Sequence, residues 1–390
     1  MRPAIQERFF GAPCECYNAI LSKTGLFSRL GRVMHLIQFV CTGFRLLAGV
    51  RFEPSPGINV IVGDNAQGKT SLLEAILFAA TARSHRTNAE TELVGHGESW
   101  FQLRAHAARH DREVTLELNW WKGVKRFKVN GVLQTRVSDI LGKLNVVLFS
   151  PEDIVLVKGS GANRRRFLDM ELSQISPTYL NALQQYRQAL RQRNELLRRD
   201  SPDPELLDPW DAQLAQHGIV LTQEREDFVR DLSKRAAEAY GHIAGGERLS
   251  LTYQADVPAA ESLGAVLEKT RSSDVRRGTT TRGPHRDELL IDVAGRPARN
   301  FGSQGQQKTA ALALRIAELE LVRERTGEYP VLMLDEVLSE LDERRSRLLF
   351  DAIDPQVQCL ITTATVTKHP ALLGREDAVY RIERGILERQ

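Results

Sequence analysis

From Met34 onward the chain alternates short apolar runs with polar positions, a period of two that predicts strands. Met34-His-Leu-Ile-Gln-Phe-Val-Cys41 opens as a strand, and Asn59-Val-Ile-Val62 is a short buried strand ending at Gly63. A helix is predicted over 69–80. Alternating runs follow at Phe101-Gln-Leu-Arg-Ala105, Val114-Thr-Leu-Glu-Leu118 and Arg126-Phe-Lys-Val129. Asn130-Gly131 is a hairpin signal, because both positions tolerate positive φ. This block reads as a mixed sheet with an antiparallel flank.

The period then changes. Tyr179, Leu183, Tyr186, Leu190 and Leu197 recur at the four-three spacing of a helix packed along one seam, and Trp210, Leu214, Leu221, Phe228 and Leu232 form a second series. Pro202, Pro204 and Pro209 interrupt the pattern and mark a reversal. Two helices of about three to six turns, at 3.6 residues each, make an antiparallel arm. Its outer face carries Arg187, Arg191, Arg193, Arg198 and Arg199. Strands return at Leu249-Ser-Leu-Thr-Tyr253 and 288–293, with a Gly/Thr/Arg loop over 277–285. A long helix over 306–325, a strand over 330–334, a further helix and a strand over 359–363 then alternate, which predicts a parallel sheet. The chain leaves a sheet domain, makes an arm and returns to finish the sheet. Residues 34–165 with 245–390 are expected to form the head and 166–244 the helical arm, with 1–33 an extension: either Met34 is the natural start, or the stretch before it is a loosely held appendage.

Composition narrows the class. A length of 390 residues allows about two or three domains. With 53 basic and 50 acidic residues the net charge is +3, so any nucleic-acid argument must come from local clusters. The cysteines are Cys14, Cys16, Cys41 and Cys359, too few for a stapled fold and a poor zinc set. No apolar run approaches the ~18 residues of a spanning helix, and the leading residues lack a signal-peptide core. A cytoplasmic protein without a membrane partner is expected.

Gly63-Asp64-Asn65-Ala66-Gln67-Gly68-Lys69-Thr70 matches the phosphate loop, G-x-x-x-x-G-K-[ST], after a predicted strand and before a predicted helix. Backbone N–H groups and the helix N-terminus form an anion nest there. Lys69 would reach the β- and γ-phosphates of ATP, and the Thr70 hydroxyl would ligate Mg2+. An accidental Gly/Lys turn is the bland alternative, and the flanking strand and helix argue against it. Val331-Leu-Met-Leu-Asp335-Glu336 places two acids at the carboxyl end of a buried strand, facing the crevice where α/β sheets bind ligands. Asp335 would hold the metal, and Glu336 would orient or deprotonate the attacking water. Solvated acids at a bare strand end are the competing reading.

Ser303-Gln-Gly305-Gln306 taken alone is a polar helix N-cap. With the two motifs above it resembles the signature of ABC-type ATPases, in which a serine and a helix N-terminus meet the γ-phosphate bound to a second subunit. Ser339-Glu-Leu-Asp342 resembles the D-loop of the same group. Further phrases are Arg83-Ser-His-Arg-Thr87, Phe149-Ser-Pro-Glu-Asp153, Arg164-Arg-Arg-Phe-Leu-Asp169, Gly283-Pro-His-Arg-Asp287 and Gly305-Gln-Gln-Lys308. In this order they resemble the RecF family of bacterial recombination-repair ATPases, whose head is similar to SMC proteins. The resemblance spans Met34 to the C-terminus. It implies an α/β fold: an ABC-type P-loop ATPase head (mixed sheet with helices, antiparallel β flank) plus an inserted helical arm.

The resemblance also implies an ATP- and Mg2+-dependent homodimer with weak, DNA-stimulated ATPase activity. Such a protein binds double-stranded DNA near single-strand gaps and helps RecO and RecR load RecA during repair and the SOS response. Two departures stand out. Phe149-Ser-Pro-Glu-Asp153 occupies the region where transporters carry a Q-loop glutamine, and the strand Cys359–Thr363 ends in threonine where many ABC ATPases place a switch histidine. Candidate DNA contacts are Arg164, Arg165 and Arg166, the arm arginines, and Arg276 with Arg277, while Arg83, His85 and Arg86, just beyond the phosphate-loop helix, would touch nucleotide or DNA; a solvated or ion-paired face is the alternative for such arginines. Trp120-Trp121 reads as hairpin core rather than a stacking pair, and His285 as a structural residue of its loop. An SMC-like DNA tether would need far longer coiled coils, and a transporter subunit a fuller signature.

Overall fold

The computed structural model describes residues 34–390 apart from 111, 200–202, 245, 259–260 and 366–368. The extension over 1–33, with Cys14 and Cys16, and Pro202 therefore lie outside the described residues.

Strands β1 (His35–Phe44), β2 (Leu47–Phe52) and β3 (Ile58–Val62) lead into helix α1 (Lys69–Thr81). Four strands follow: β4 (Trp100–Arg109), β5 (Arg112–Trp121), β6 (Val124–Val129) and β7 (Val132–Gln134). After β8 (Val146–Phe149) come α2 (Ile154–Lys158), α3 (Gly161–Ile175), α4 (Pro177–Leu197) and α5 (Asp208–Ala244). Next are β9 (Leu249–Gln254), α6 (Leu263–Arg277), β10 (Glu288–Val293), β11 (Arg296–Pro297), α7 (Ala298–Phe301) and α8 (Gln304–Thr326). The chain ends with β12 (Val331–Asp335), α9 (Glu343–Ala352), β13 (Cys359–Thr363), β14 (Ala378–Glu383) and β15 (Ile386–Arg389).

The central sheet has the order β15-β14-β3-β13-β12-β8, parallel throughout except for β15 at its edge. Strands β8, β12 and β13 are buried at every position, as a sheet covered on both faces requires. Alternate residues supply two cores. Leu332, Leu334, Cys359 and Ile361 join the core with α4, α5 and α8. Val331, Met333 and Leu360 join the core with α1 and the second sheet. Helix α1 is buried on all sides, the expected fate of Leu72-Leu-Glu-Ala-Ile-Leu-Phe between two sheets.

That second sheet is antiparallel, ordered β2-β1-β4-β5-β6-β7. The Asn130-Gly131 turn between β6 and β7 has φ of 49° and 79°, the double positive φ its sequence predicts. Strands β9 to β11 form a separate three-stranded antiparallel sheet. The parallel sheet expected after the arm is therefore built by β12 and β13, while the chain first makes this separate sheet before it returns to the central one. The cause is local: Ala294 and Gly295, both at positive φ, fold β10 back on β11, and β10 pairs antiparallel with β9.

The arm also differs in scale. Helix α5 runs 37 residues, about 55 Å at 1.5 Å per residue and well beyond the six turns expected. Its apolar stripe, Leu214, Leu221, Phe228 and Leu232, shares one core with α8 and the central sheet. Residue 166 falls within α3. Helix α6 was hidden from the sequence pattern because only Val266 and Leu267 of its apolar side chains are buried.

Candidate nucleotide site

Strand β3 ends at Val62 and α1 begins at Lys69, so the phosphate-loop motif spans the turn between them. Gly68 caps α1 at a φ of 112°, a conformation that excludes side-chain-bearing residues. Gly63 has no room for a methyl group, since a Cβ there would collide with the Ile382 carbonyl oxygen. Gln67 fastens the loop to the β14–β15 turn: its side-chain oxygen accepts from the Arg384 N–H at 2.7 Å and its carbonyl from the Gly385 N–H at 2.9 Å. Gly63, Asp64, Gln67, Arg381 and Arg384 line a cleft of about 270 Å3.

The two motifs, about 270 residues apart in sequence, meet at the carboxyl end of the central sheet. Lys69 is 4 % exposed; its Nζ donates to the Gly63 and Asp64 carbonyls at 2.6 and 2.9 Å and pairs with Glu336 Oε1 at 2.8 Å. The Thr70 hydroxyl donates to Asp335 Oδ1 at 3.1 Å. Burial pushes the Asp335 carboxyl up, hydrogen bonds from Thr362 and Thr70 oppose it, and the nearby charges of Glu152 and Glu336 add to the upward shift. Glu336 sits at φ 54°, left-handed for a bulky residue, with its N–H held by the Thr362 hydroxyl at 3.0 Å. That bend turns the second acid back toward Lys69.

A buried carboxylate beside a hydroxyl, with two further acids close by, suits a small hard cation. Thr70 Oγ1 and Asp335 Oδ1 would supply two oxygens to such a cation. Mg2+ ordinarily takes the rest from water and substrate phosphates, so the site fits the metal although among the described residues no group of three or more His, Cys, Asp or Glu is arranged to hold a metal ion by itself.

Thr362 and Glu152 were not singled out from the sequence. Thr362 Oγ1 donates to Asp335 Oδ1 at 2.7 Å, a contact created by the parallel β12–β13 register that pairs these two residues. No local motif signals it. Beyond Glu336 a cleft of about 500 Å3 is lined by Glu336, Ser339, Thr363 and His369 among others, so a histidine six residues past the strand end lines the same cleft as the second acid.

The signature-like residues lie elsewhere. Ser303 caps α8 in a reciprocal box with Gln306: Ser303 Oγ accepts from the Gln306 N–H at 3.2 Å, and Gln306 Oε1 from the Ser303 N–H at 2.8 Å. The Gly305 carbonyl accepts from the Thr309 hydroxyl, and Gln306 Nε2 donates to Glu247. Asp342 caps α9 through the Arg345 N–H. Within one chain these groups bond among themselves, at an exposed helix start.

The candidate DNA contacts separate into different roles. Arg164 is 5 % exposed, forms a two-point pair with Glu288 at 2.7 and 3.0 Å and donates to the Gly159 carbonyl. Its sequence-based assignment to DNA is therefore corrected: no face of this guanidinium is left for a phosphate. Arg165 is half-buried and donates to the Asp287 carbonyl at 2.6 Å. Arg166 is exposed and reaches the Ser84 carbonyl. Arg166, Arg83 and Arg187 converge on a cleft of about 380 Å3 with Ser84, Asn88 and Glu90. Burial, then the charges of Arg187 and Arg166, push the Arg83 guanidinium down, against the pull of Asp169. Arg86 is exposed, 3.7 Å from Glu74. The ring nitrogens of His85 are buried without a hydrogen-bond partner among the described residues, and burial pushes its pKa down.

Other readings sort as follows. Arg193 is not on the arm's outer face; it is fully buried, paired with Asp211 at 2.5 Å and Asp274 at 2.7 Å. Trp120 is in the core, but Trp121 is 56 % exposed. His285 is structural: its Nδ1 accepts from the Tyr186 hydroxyl at 2.7 Å, its Nε2 donates to the Thr280 carbonyl at 3.0 Å, and burial pushes it down to about 4. No helix among the described residues is long and apolar enough to cross a membrane.

Comparison with known proteins gives a consistent picture. A family model described as the RecF/RecN/SMC N-terminal domain matches residues 35–383. The DNA replication and repair protein RecF of Listeria monocytogenes is 40 % identical over 369 residues, which cover 91 % of this chain and all of that protein. The RecF of Halalkalibacterium halodurans is 39 % identical over 371 residues, 92 % of this chain and all of its own. A solved structure described as the recombination mediator RecF with ATP superposes with a TM-score of 0.85 at 33 % identity, covering 92 % of this chain and 98 % of that one. An Smc head domain from Pyrococcus furiosus, at 18 % identity and a TM-score of 0.56, covers 92 % of this chain and 96 % of its own and shares the fold alone. The fold is thus an ABC-type ATPase head with a helical insertion, and the chain belongs to the RecF family of DNA replication and repair proteins.

Proposed function

We propose that this chain is a cytoplasmic, ATP-dependent DNA-binding protein of recombinational repair. The observation that carries the reading is the convergence of Lys69 on Glu336 and of Thr70 on Asp335 at the carboxyl edge of the central sheet. Lys69 would exchange the Gly63 and Asp64 carbonyls and Glu336 for the β- and γ-phosphates of ATP, whose oxygens the α1 N-terminus also attracts. Thr70 and Asp335 would hold Mg2+, which neutralises charge on the transferred phosphoryl group. Glu336, released from Lys69, would orient the attacking water as a general base.

The exposed start of α8 completes this site from a second copy. Ser303, Gly305 and Gln306 present the positive end of a 23-residue helix, with Asp342 nearby in sequence to the acid pair, to a γ-phosphate bound in trans. ATP uptake would therefore drive homodimerisation, and slow, DNA-stimulated hydrolysis would reverse it. Arg83, Arg86 and Arg166 would meet duplex phosphates, with Arg165 held back by its backbone bond and Arg187 added to the set. Binding near gaps, and cooperation with RecO and RecR in loading RecA, follow from the family. The test is calorimetric titration of ATP in magnesium buffer. The parent should bind, Lys69→Ala should not, and Ser303→Arg should bind but fail to dimerise; a parent that takes up no ATP would end this reading.

A further inference from the structure

The outer side of the antiparallel sheet carries an aromatic and basic surface with no part in the nucleotide site. Along β5, alternation sends Val114, Leu116, Leu118 and Trp120 into the core. Trp120 stacks on Phe101 with centroids 5.6 Å apart and planes 2° from parallel, which fixes that parity. Trp121 must then emerge on the opposite side, where it is 56 % exposed. The strand register sets it opposite Trp100 on β4 and opposite Val124 on β6. One row further along, Asn119 lies between Gln102 and Arg126.

Two indoles on neighbouring strands are thus bordered by Gln102, Asn119, Lys122 and Arg126, two cations and two amides, and the next row carries Glu117 between Arg104 and Lys128. The Lys122 ammonium lies 5.2 Å from the Trp121 ring centroid, and both Lys122 and Arg126 are exposed. The combination of an exposed aromatic face with adjacent fixed cations matches the two parts of an unpaired nucleotide, a flat base and a charged phosphate. A duplex offers no free base face, so it would use only the cations.

We propose that this face is a stacking platform for single-stranded nucleic acid, with a base on the Trp121 indole and its phosphates on Arg126 and Lys122. It extends the DNA reading above to a second surface, separate from the arginine cleft. Stacking on an indole tolerates any base, so the platform selects strandedness rather than sequence.

The experiment is fluorescence anisotropy of a short labelled oligothymidylate against the full chain, with a blunt duplex measured in parallel and thermal melting as the folding control. Trp121→Ala should weaken oligothymidylate binding by roughly fivefold or more, the loss expected for one unstacked base. Trp121→Phe should recover most of it, and Arg126→Ala should flatten its salt dependence. For both Trp121 variants, duplex affinity and melting should stay unchanged. Unaltered oligothymidylate binding by Trp121→Ala, or an equal loss on the duplex, would overturn the proposal. So would loss of RecR binding with oligothymidylate binding intact, which would make the face a protein interface. ATP uptake is followed on the same samples: its absence in the parent overturns the preceding reading, while the oligonucleotide comparison still decides this one.

Discussion

Replacing Glu336 with Gln should separate the ion pair that its carboxylate makes from the general-base role proposed for it. In the structure its Oε1 lies 2.8 Å from Lys69 Nζ, and Lys69 is 4 % exposed while Glu336 is 26 % exposed. A pair this sheltered lies near the upper end of the range for accessible ion pairs, about 1 kcal/mol. ATP must break it to engage Lys69. Glu336→Gln should therefore bind ATP more tightly, by about fivefold for 1 kcal/mol. The same change removes the proposed general base, a role worth about 10²- to 10⁴-fold in hydrolysis. Titration of a fluorescent ATP analogue gives the affinity, and single-turnover phosphate release gives the rate. Weaker ATP binding by Glu336→Gln, or hydrolysis within about twofold of the parent against that expected range, would refute the reasoning.

Three further outcomes follow from the same geometry. Arg164→Ala, which strips the half-exposed Glu288 and a part-buried carbonyl of their partner, should cost about 2 to 3 kcal/mol in urea unfolding while leaving the DNA affinity of the folded protein unchanged. Arg83→Glu and Arg166→Glu, at the rim of the arginine cleft, should each lower duplex affinity and reduce the slope of log K against log salt by about 1, measured by anisotropy across a salt series. His285 stays neutral down to about pH 4 when folded, whereas the unfolded imidazole takes up a proton below 6.5. Its contribution is thus present above 6.5 and lost as pH falls; about 2 kcal/mol should go between pH 6.5 and about 5, and His285→Gln should remove that part of the slope in urea midpoints.

The phosphate loop and acid pair were legible because each is contiguous and bounded by a recognisable strand. Their mutual approach was readable only through the general rule that ligands sit at strand carboxyl ends. The Thr362–Asp335 bond was not readable, since it depends on which strand lies beside β12 and in what register. The arginines show the limit most clearly. Arg164, Arg165 and Arg166 are adjacent in sequence, yet on α3 each step turns about 100°, so one pairs with Glu288 inside, one reaches Asp287 and one faces the cleft. Arg193 misled for the same reason: Asp211 and Asp274, which neutralise it, come from α5 and α6. Tryptophan parity in β5 was likewise undetermined until Phe101 fixed which indole faces inward.

The central claim is that two copies close on ATP through the start of α8. Sedimentation velocity of the full chain in magnesium buffer, with and without ATP, tests it most directly, using Ser303→Arg and Glu336→Gln beside the parent. The account predicts a monomer-to-dimer shift in the parent and a more persistent dimer in Glu336→Gln, with Ser303→Arg remaining monomeric while still binding ATP. A Ser303→Arg protein that dimerises with ATP as the parent does would contradict it.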